Sequence, residues 1–297
     1  MTAVIEASAV GKRYGRTWAL RDSTLTIPAG RVVGLVGSNG AGKSTLLNLA
    51  VGLLRPTEGQ ITVLGGRPGS DARQLGKVGF LAQDVPLYGG LTVRDHLRLG
   101  AKLNPKWDAA GAQGRIARVG LDPSQMAAGL SGGQRAQLAL ALAIGKCPEL
   151  LILDEPVASL DPLARRAFLA DLMDLAADGL SVVLSSHLLA DVERVCDHLI
   201  VLAGGRVRLA GDVDVLLATH KVLMGARRDP DRLPAGQTVI EHSHTDRQST
   251  FLVHTTQPVL DPSWTVSGVG LEDLVLAYMA TQTAGAHPAD PTLRSVG

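Results

Sequence analysis

Nine residues, Gly37-Ser-Asn-Gly-Ala-Gly-Lys43-Ser44-Thr45, constrain this chain more than any others. They fit G-x-x-x-x-G-K-[ST] and lie between the apolar run Val32–Val36 (VVGLV) and a helical pattern from Lys43 to Leu53. A strand that turns at once into a helix needs glycine at the bend. Here the spacing makes the bend a cradle, with successive N–H groups pointing inward and the helix N-terminus adding its positive end. A nucleoside triphosphate suits it: Gly37, Ser38, Asn39, Gly40, Ala41, Gly42, Lys43, Ser44 and Thr45 would wrap the phosphates. Lys43 would reach the β/γ-phosphates and Ser44 would ligate Mg²⁺. The plainer reading, a flexible glycine turn, needs four fixed positions to match by chance, roughly once in a hundred such chains before context is counted.

The same order of strand, loop and helix recurs from Val4 to about Gly211, which predicts an α/β domain around a largely parallel sheet. Compact apolar runs mark its strands at Val32–Val36, Val78 to Ala82, Leu150–Leu153, Ser181 to Leu184 and Leu199 to Leu202. Helices are expected at Lys43 to Leu53, at Pro162–Ala177 behind an Asp161 cap, and at Leu189–Val195. Between Thr92 and Cys147 strand signals give way to helical ones, an insertion. After His220 the texture changes to weaker strands (TVIEHS, STFLVHT) and one late helix, Leu271 to Met279. The expected division is 1–219 with a helical part over about 92–147, an accessory α+β domain over 220–282, and a loose tail over 283–297.

Composition narrows the function classes. A net charge of +1 provides no global field for nucleic acid, and 3% aromatics disfavours base stacking along a groove. Nucleic acid is therefore not expected as a partner. Two cysteines, Cys147 and Cys196, fall short of a disulfide scaffold, and the first residues lack a signal-peptide pattern, so a reducing cytoplasm is the expected compartment. The longest apolar stretches, such as Leu46 to Leu54, stop well short of the ~18 residues of a spanning helix. Any membrane role would run through a partner.

Two further stretches carry chemistry. Leu150-Leu-Ile-Leu-Asp154-Glu155-Pro156 is an apolar strand ending in two carboxylates, delivered to the sheet edge where the phosphate loop opens. Asp154 could hold Mg²⁺, and Glu155 could act as general base on the attacking water. Seen alone, Asp-Glu-Pro is often mere punctuation between strand and turn. Leu130-Ser131-Gly132-Gly133-Gln134 places a capping serine and two glycines at a helix start, a second anion surface.

With these motifs in hand the chain resembles the ATP-binding cassette (ABC) family, and LSGGQ is similar to that family's signature. The resemblance covers roughly Val4 to Gly211, with every element in the family's order. It implies a phosphate-loop NTPase core with a mainly parallel sheet, an antiparallel β part and a helical insertion. It also implies ATP and Mg²⁺ as ligands. Residue by residue, Tyr14 matches the aromatic that stacks on adenine, and Gln83 the glutamine that touches Mg²⁺ and water. Ser159-Leu160-Asp161 matches the loop that crosses to the opposite protomer, and His187 the switch histidine on the γ-phosphate. Ser38 stands where proline is common, at a backbone-lined position. In the family two cassettes bind head to tail, so Ser131, Gly132, Gly133 and Gln134 of one close over the ATP of the other.

The family reading implies the ATPase subunit of a transporter, peripheral on the inner membrane face through a separate permease. Leu87 to Leu97 and Leu271 to Tyr278 resemble the ABC-2 type bacterial exporters more loosely. A soluble ABC ATPase acting on ribosomes or DNA is the alternative. It is disfavoured by a single cassette without a coiled-coil block and by the charge balance. His242 and His244 fall on one face of a candidate strand, compatible with a metal pair, but no third ligand is fixed and a solvated strand is the plainer reading. Arg227 and Arg228 stand beside Asp229 and Asp231, so local compensation accounts for that basic pair.

Overall fold

The computed structural model describes residues 2–280 apart from 159, 231, 232 and 235. Ser159 of the expected crossing loop, Asp231 and the expected tail lie outside the described residues. The chain divides into two compact units, Met1–Leu216 and Leu217–Gly297.

In the first unit β1 (Ala3–Tyr14) and β2 (Thr17–Pro28) form a hairpin, followed by β3 (Val32–Val36), α1 (Lys43–Ala50) and β4 (Glu58–Val63). Next come α2 (Ala72–Lys77), β5 (Val78–Leu81), and a helical segment of α3 (Val93–Leu103), α4 (Ala109–Arg118) and α5 (Gly132–Gly145). The chain then returns to the sheet through β6 (Leu150–Leu153), α6 (Pro162–Ala177), β7 (Ser181–Ser186), α7 (Leu189–Val195), β8 (His198–Ala203) and β9 (Arg206–Asp212).

The main sheet has the order β5-β6-β7-β3-β8-β9, parallel except for β9 against β8. Every residue of β3, β6 and β7 is buried, as continuous apolar runs covered on both faces require. That order sets β3, which leads into the phosphate loop, next but one to β6, which delivers the carboxylates. A second sheet, β2-β1-β4, is antiparallel, and the second half of β2 alternates buried and exposed positions. Val93, Leu97, Ile116, Leu130, Leu138 and Ala141 give the helical segment its own core, with α3 started by a Thr92/Asp95 capping box.

The division between the units falls within α8 (Val213–Thr219), which passes directly into β10 (His220–Ala226). The second unit continues with β11 (Thr238–His244), β12 (Gln248–His254), β13 (Trp264–Gly268) and α9 (Leu271–Ala280). Its strands form one antiparallel sheet, β11-β12-β10-β13, around Leu223, Phe251, Val253 and Trp264. Among the described residues no helix is long and apolar enough to cross a membrane.

Three elements differ from the sequence expectation. The helix expected to Leu53 ends at Ala50, because Gly52 takes φ +82° where a Cβ would lie 2.7 Å from the backbone of Pro68 and Gly69. Gln83, expected at the end of a strand, falls in a turn beyond β5. A helix, α8, precedes the change of texture expected at His220 and passes straight into β10, with neither Gly nor Pro between Val213 and Met224 to mark where helix gives way to strand.

Candidate active site

The phosphate loop is set by close packing. Gly42 opens α1 at φ +107°, and a Cβ there would stand 2.6 Å from Ala19 O and 2.7 Å from Leu20 Cδ2. No side chain caps the helix, so the first-turn amides keep their donors free for an anion. Lys43 is buried, and its Nζ donates to Gly37 O at 2.8 Å and Ser38 O at 3.3 Å. The same ammonium lies 3.6 Å from Glu155 Oε1.

The carboxyl ends of β6 and β7 supply the facing groups. Asp154 is only 4% exposed, and Ser185 Oγ donates to its Oδ1 at 2.7 Å while accepting from Glu155 N at 2.8 Å. Glu155 holds φ +49°, a conformation non-glycine residues seldom adopt, and its Oε2 accepts from His187 Nδ1 at 2.5 Å. Lys43, Glu155 and His187 thus form one linked group, with Asp154 joined to it through Ser185. Ser185 was missed by sequence reasoning, although a polar residue in an otherwise apolar buried run was the available signal.

Arg165 and Asp191 were also missed. They lie on α6 and α7, with Arg165 Nε 4.0 Å from Asp191 Oδ2, and neither atom has a hydrogen-bond partner. Burial pushes the Asp191 carboxyl above its ordinary value, against the opposing pull of Arg165 and His187.

The remaining predicted residues stand apart. Ser131 caps α5 through a reciprocal box with Gln134, leaving Ser131 and Gly132 exposed. Gly133 packs on Leu160, whose Cδ2 would lie 3.3 Å from a Cβ there. Arg135 on α5 reaches Val85 O at 3.3 Å, beside the turn that holds the exposed Gln83. Asp161 accepts from Leu163 N and Ala164 N as the cap of α6. Tyr14 is 49% exposed, with Lys12 Nζ 5.5 Å from its ring centre. Among the described residues no hydrogen bond or ion pair joins Tyr14, Gln83 or Ser131–Gln134 to the Lys43–Glu155–His187 group.

Comparison with known proteins gives the arrangement a family. The ABC transporter profile matches residues 20–158. The chain is 37% identical over 208 residues to the Nod factor export ATP-binding protein I of Rhizobium johnstonii, covering 68% of this chain and 67% of that protein. It is 35% identical over 240 residues to a phosphonates import ATP-binding protein of Pseudomonas aeruginosa, covering 73% and 86%. The solved structure of an ATP-binding subunit of an ABC transporter superposes with TM-score 0.66 at 32% identity, over 72% of this chain and 92% of that one. A dimeric ATP-binding cassette in a post-hydrolysis state, bound to ADP and Pi, superposes with TM-score 0.65 at 25% identity, over 70% and 98%. These proteins share the fold described above, and the chain belongs to the ATP-binding cassette family, as an ATP-binding and ATP-hydrolysing subunit of a transporter.

Proposed function

We propose that this subunit drives an exporter as a head-to-tail dimer of two copies, docked on the inner membrane face through a separate membrane-spanning permease. The observation that carries the reading is how the chemistry is divided within one copy. Lys43, Glu155 and His187 form one linked group with Asp154 beside it, whereas Ser131 and Gly132 lie exposed and unconnected to it. A second copy brings that exposed helix start to the first copy's ATP, so that Ser131, Gly132, Gly133 and Gln134 complete the phosphate cage and Asp161 approaches from the same side. The dimeric relative supports this arrangement. The Nod factor export relative and the segments Leu87 to Leu97 and Leu271 to Tyr278 support export, while the phosphonates relative works in import.

In this reading ATP enters a loop whose lysine is already in place. The γ-phosphate is a stronger acceptor than two carbonyls and draws the Lys43 ammonium away from Gly37, Ser38 and Glu155. Glu155 is then free to take the proton of the attacking water, an effect worth about 10²- to 10⁴-fold. His187 Nδ1 pairs with Glu155 Oε2, which fixes the carboxylate beside the loop where the γ-phosphate would lie. Tyr14, exposed at the end of β1, is the platform for adenine.

Oxygen ligands suit Mg²⁺: Ser44 and Asp154 would hold it through hydroxyl and carboxylate, with Ser185 holding Asp154 by one oxygen, and Gln83, exposed in the turn beyond β5, would have to approach for its amide oxygen to join them. The ion would supply positive charge against the phosphates of the nucleotide.

The test is to tag the Glu155→Gln variant, trap it with ATP and Mg²⁺, solubilise native membranes in mild detergent and identify what co-purifies. We expect a dimer that binds ATP, turns over at least ~100-fold more slowly, and carries a polytopic membrane protein in stoichiometric amount. Ribosomes, DNA or no partner would overturn the transporter assembly, and normal turnover would remove Glu155 from the role of base.

A further inference from the structure

The face that a second copy meets is formed by two elements distant in sequence: Ser131 at the start of α5 and Asp161 at the start of α6. Two of the contacts between the α4–α5 pair and α6 with its approach bear on this face. At one, Gly133 packs on the buried side chain of Leu160, immediately before the Asp161 cap. At the other, Arg115 Nη1 on α4 donates to Asp171 Oδ2 on α6 at 2.7 Å. That pair is well shielded, with side chains only 10% and 15% exposed, and Arg118 adds a second, exposed cation 3.7 Å from Asp171 Oδ1.

The leverage comes from helix geometry. Asp171 lies ten residues beyond Asp161, roughly 15 Å along the helix. At its C-terminal end α5 is tied to α2 and β5, where Lys146 Nζ donates to Leu75 O and Val78 O, and near its start Gly133 meets Leu160. The Arg115–Asp171 contact, ~15 Å along α6 from the Asp161 cap, adds a further constraint on the angle of the pair. Ile116, Leu138 and Ala141 lock α4 to α5 through their common core, so the angle set at Arg115 is passed to Ser131.

We propose that Arg115 and Asp171 are positioning residues of the shared site, which fix the angle at which α5 presents Ser131 alongside Asp161 to the ATP of a second copy. This rests on the head-to-tail reading above. The pair touches neither nucleotide nor reacting atoms and acts only through the placement of Ser131.

The test uses the full chain carrying Glu155→Gln, with dimerisation in ATP and Mg²⁺ followed by sedimentation. Removing both charges together, Arg115→Ala with Asp171→Ala, leaves no buried charge unpaired, so the melting temperature should stay near that of the parent. The dimer dissociation constant should rise about tenfold, while a fluorescent ATP analogue should bind the dilute monomer unchanged. With Glu155 restored, the same pair of substitutions should raise the ATP concentration for half-maximal hydrolysis and leave the rate at saturation nearly intact. Arg115→Lys, which keeps the charge, should recover most of the dimer, and it serves as the readout should the alanine pair fail to fold: full dimerisation there beside a weakened Arg115→Met supports the proposal. A double variant that dimerises like its parent overturns it, as does a loss of ATP binding in step with lost stability. A Glu155→Gln parent that stays monomeric in ATP would instead remove the head-to-tail reading, and the proposal with it.

Discussion

The hydroxyl of Ser185 donates to Asp154 Oδ1 and accepts from Glu155 N, so one buried group orients both carboxylates of the site. Ser185→Ala deletes that group without enlarging the side chain. It should leave the Asp154 carboxylate short of a donor at a cost of about 1–3 kcal/mol, read by urea unfolding. Turnover should fall about tenfold to a hundredfold with ATP affinity little changed, since Lys43 and the loop amides are untouched. An unchanged turnover would mean that the backbone of β6 alone places the carboxylates. The contrast with the motif residues explains what a sequence reveals at this scale. Gly37 to Thr45 were legible because a phosphate cradle demands particular residue types at fixed spacing, and Asp154 and Glu155 because an apolar strand rarely ends in two carboxylates. Ser185, Arg165 and Asp191 were not, because their roles exist only through partners some 26 to 31 residues away in the chain.

At the scale of elements the buried strands were legible as short apolar runs, and Pro162–Ala177, behind its Asp161 cap, and Leu189–Val195 fall where the helical pattern put them. Where no residue breaks the pattern, as from α8 into β10, hydrophobicity alone does not separate helix from strand. The spacing between layers was equally hidden. Gly34, in the middle of β3, faces α7 so closely that a Cβ would lie 2.5 Å from Val192 Cγ1 and 3.0 Å from Cys196 Sγ. That contact seats α7, the helix that follows His187, directly on the strand that leads into the phosphate loop. Gly34→Ala should therefore force α7 outward at a cost of about 1–3 kcal/mol. The pairing predicts its own rescue: Val192→Ala added to Gly34→Ala should recover part of the loss by giving the new methyl the space it needs. Thermal unfolding of the two single variants and the double one decides it, and strictly additive losses would show that Gly34 and Val192 do not share that space.

For the whole molecule the question is whether the ATPase depends on the second unit. The cores are separately furnished: the main cluster of the first unit draws on residues from Val4 to Ala210, its helical segment on Leu87 to Leu142, and the second unit on Leu223 to Trp264. Every residue of the linked group, and the Leu130–Gln134 stretch, lies before Leu188. A chain ending at Thr219, where α8 closes, keeps both of the first unit's cores and the contact of Leu216 with Gly211, whose Cβ position lies 3.1 Å from Leu216 Cδ2. Such a chain should unfold in one cooperative transition and bind ATP with the affinity of the full chain, while Lys43→Ala in the same short chain should abolish binding. Among its described residues the second unit has a single sheet, with α9 and a modest core, and it should be only marginally stable when expressed by itself. If the shortened chain instead fails to fold, the two units share stability despite their separate cores. If it folds and binds ATP but no longer dimerises in the Glu155→Gln background, the second unit acts on assembly of the two copies rather than on the nucleotide site.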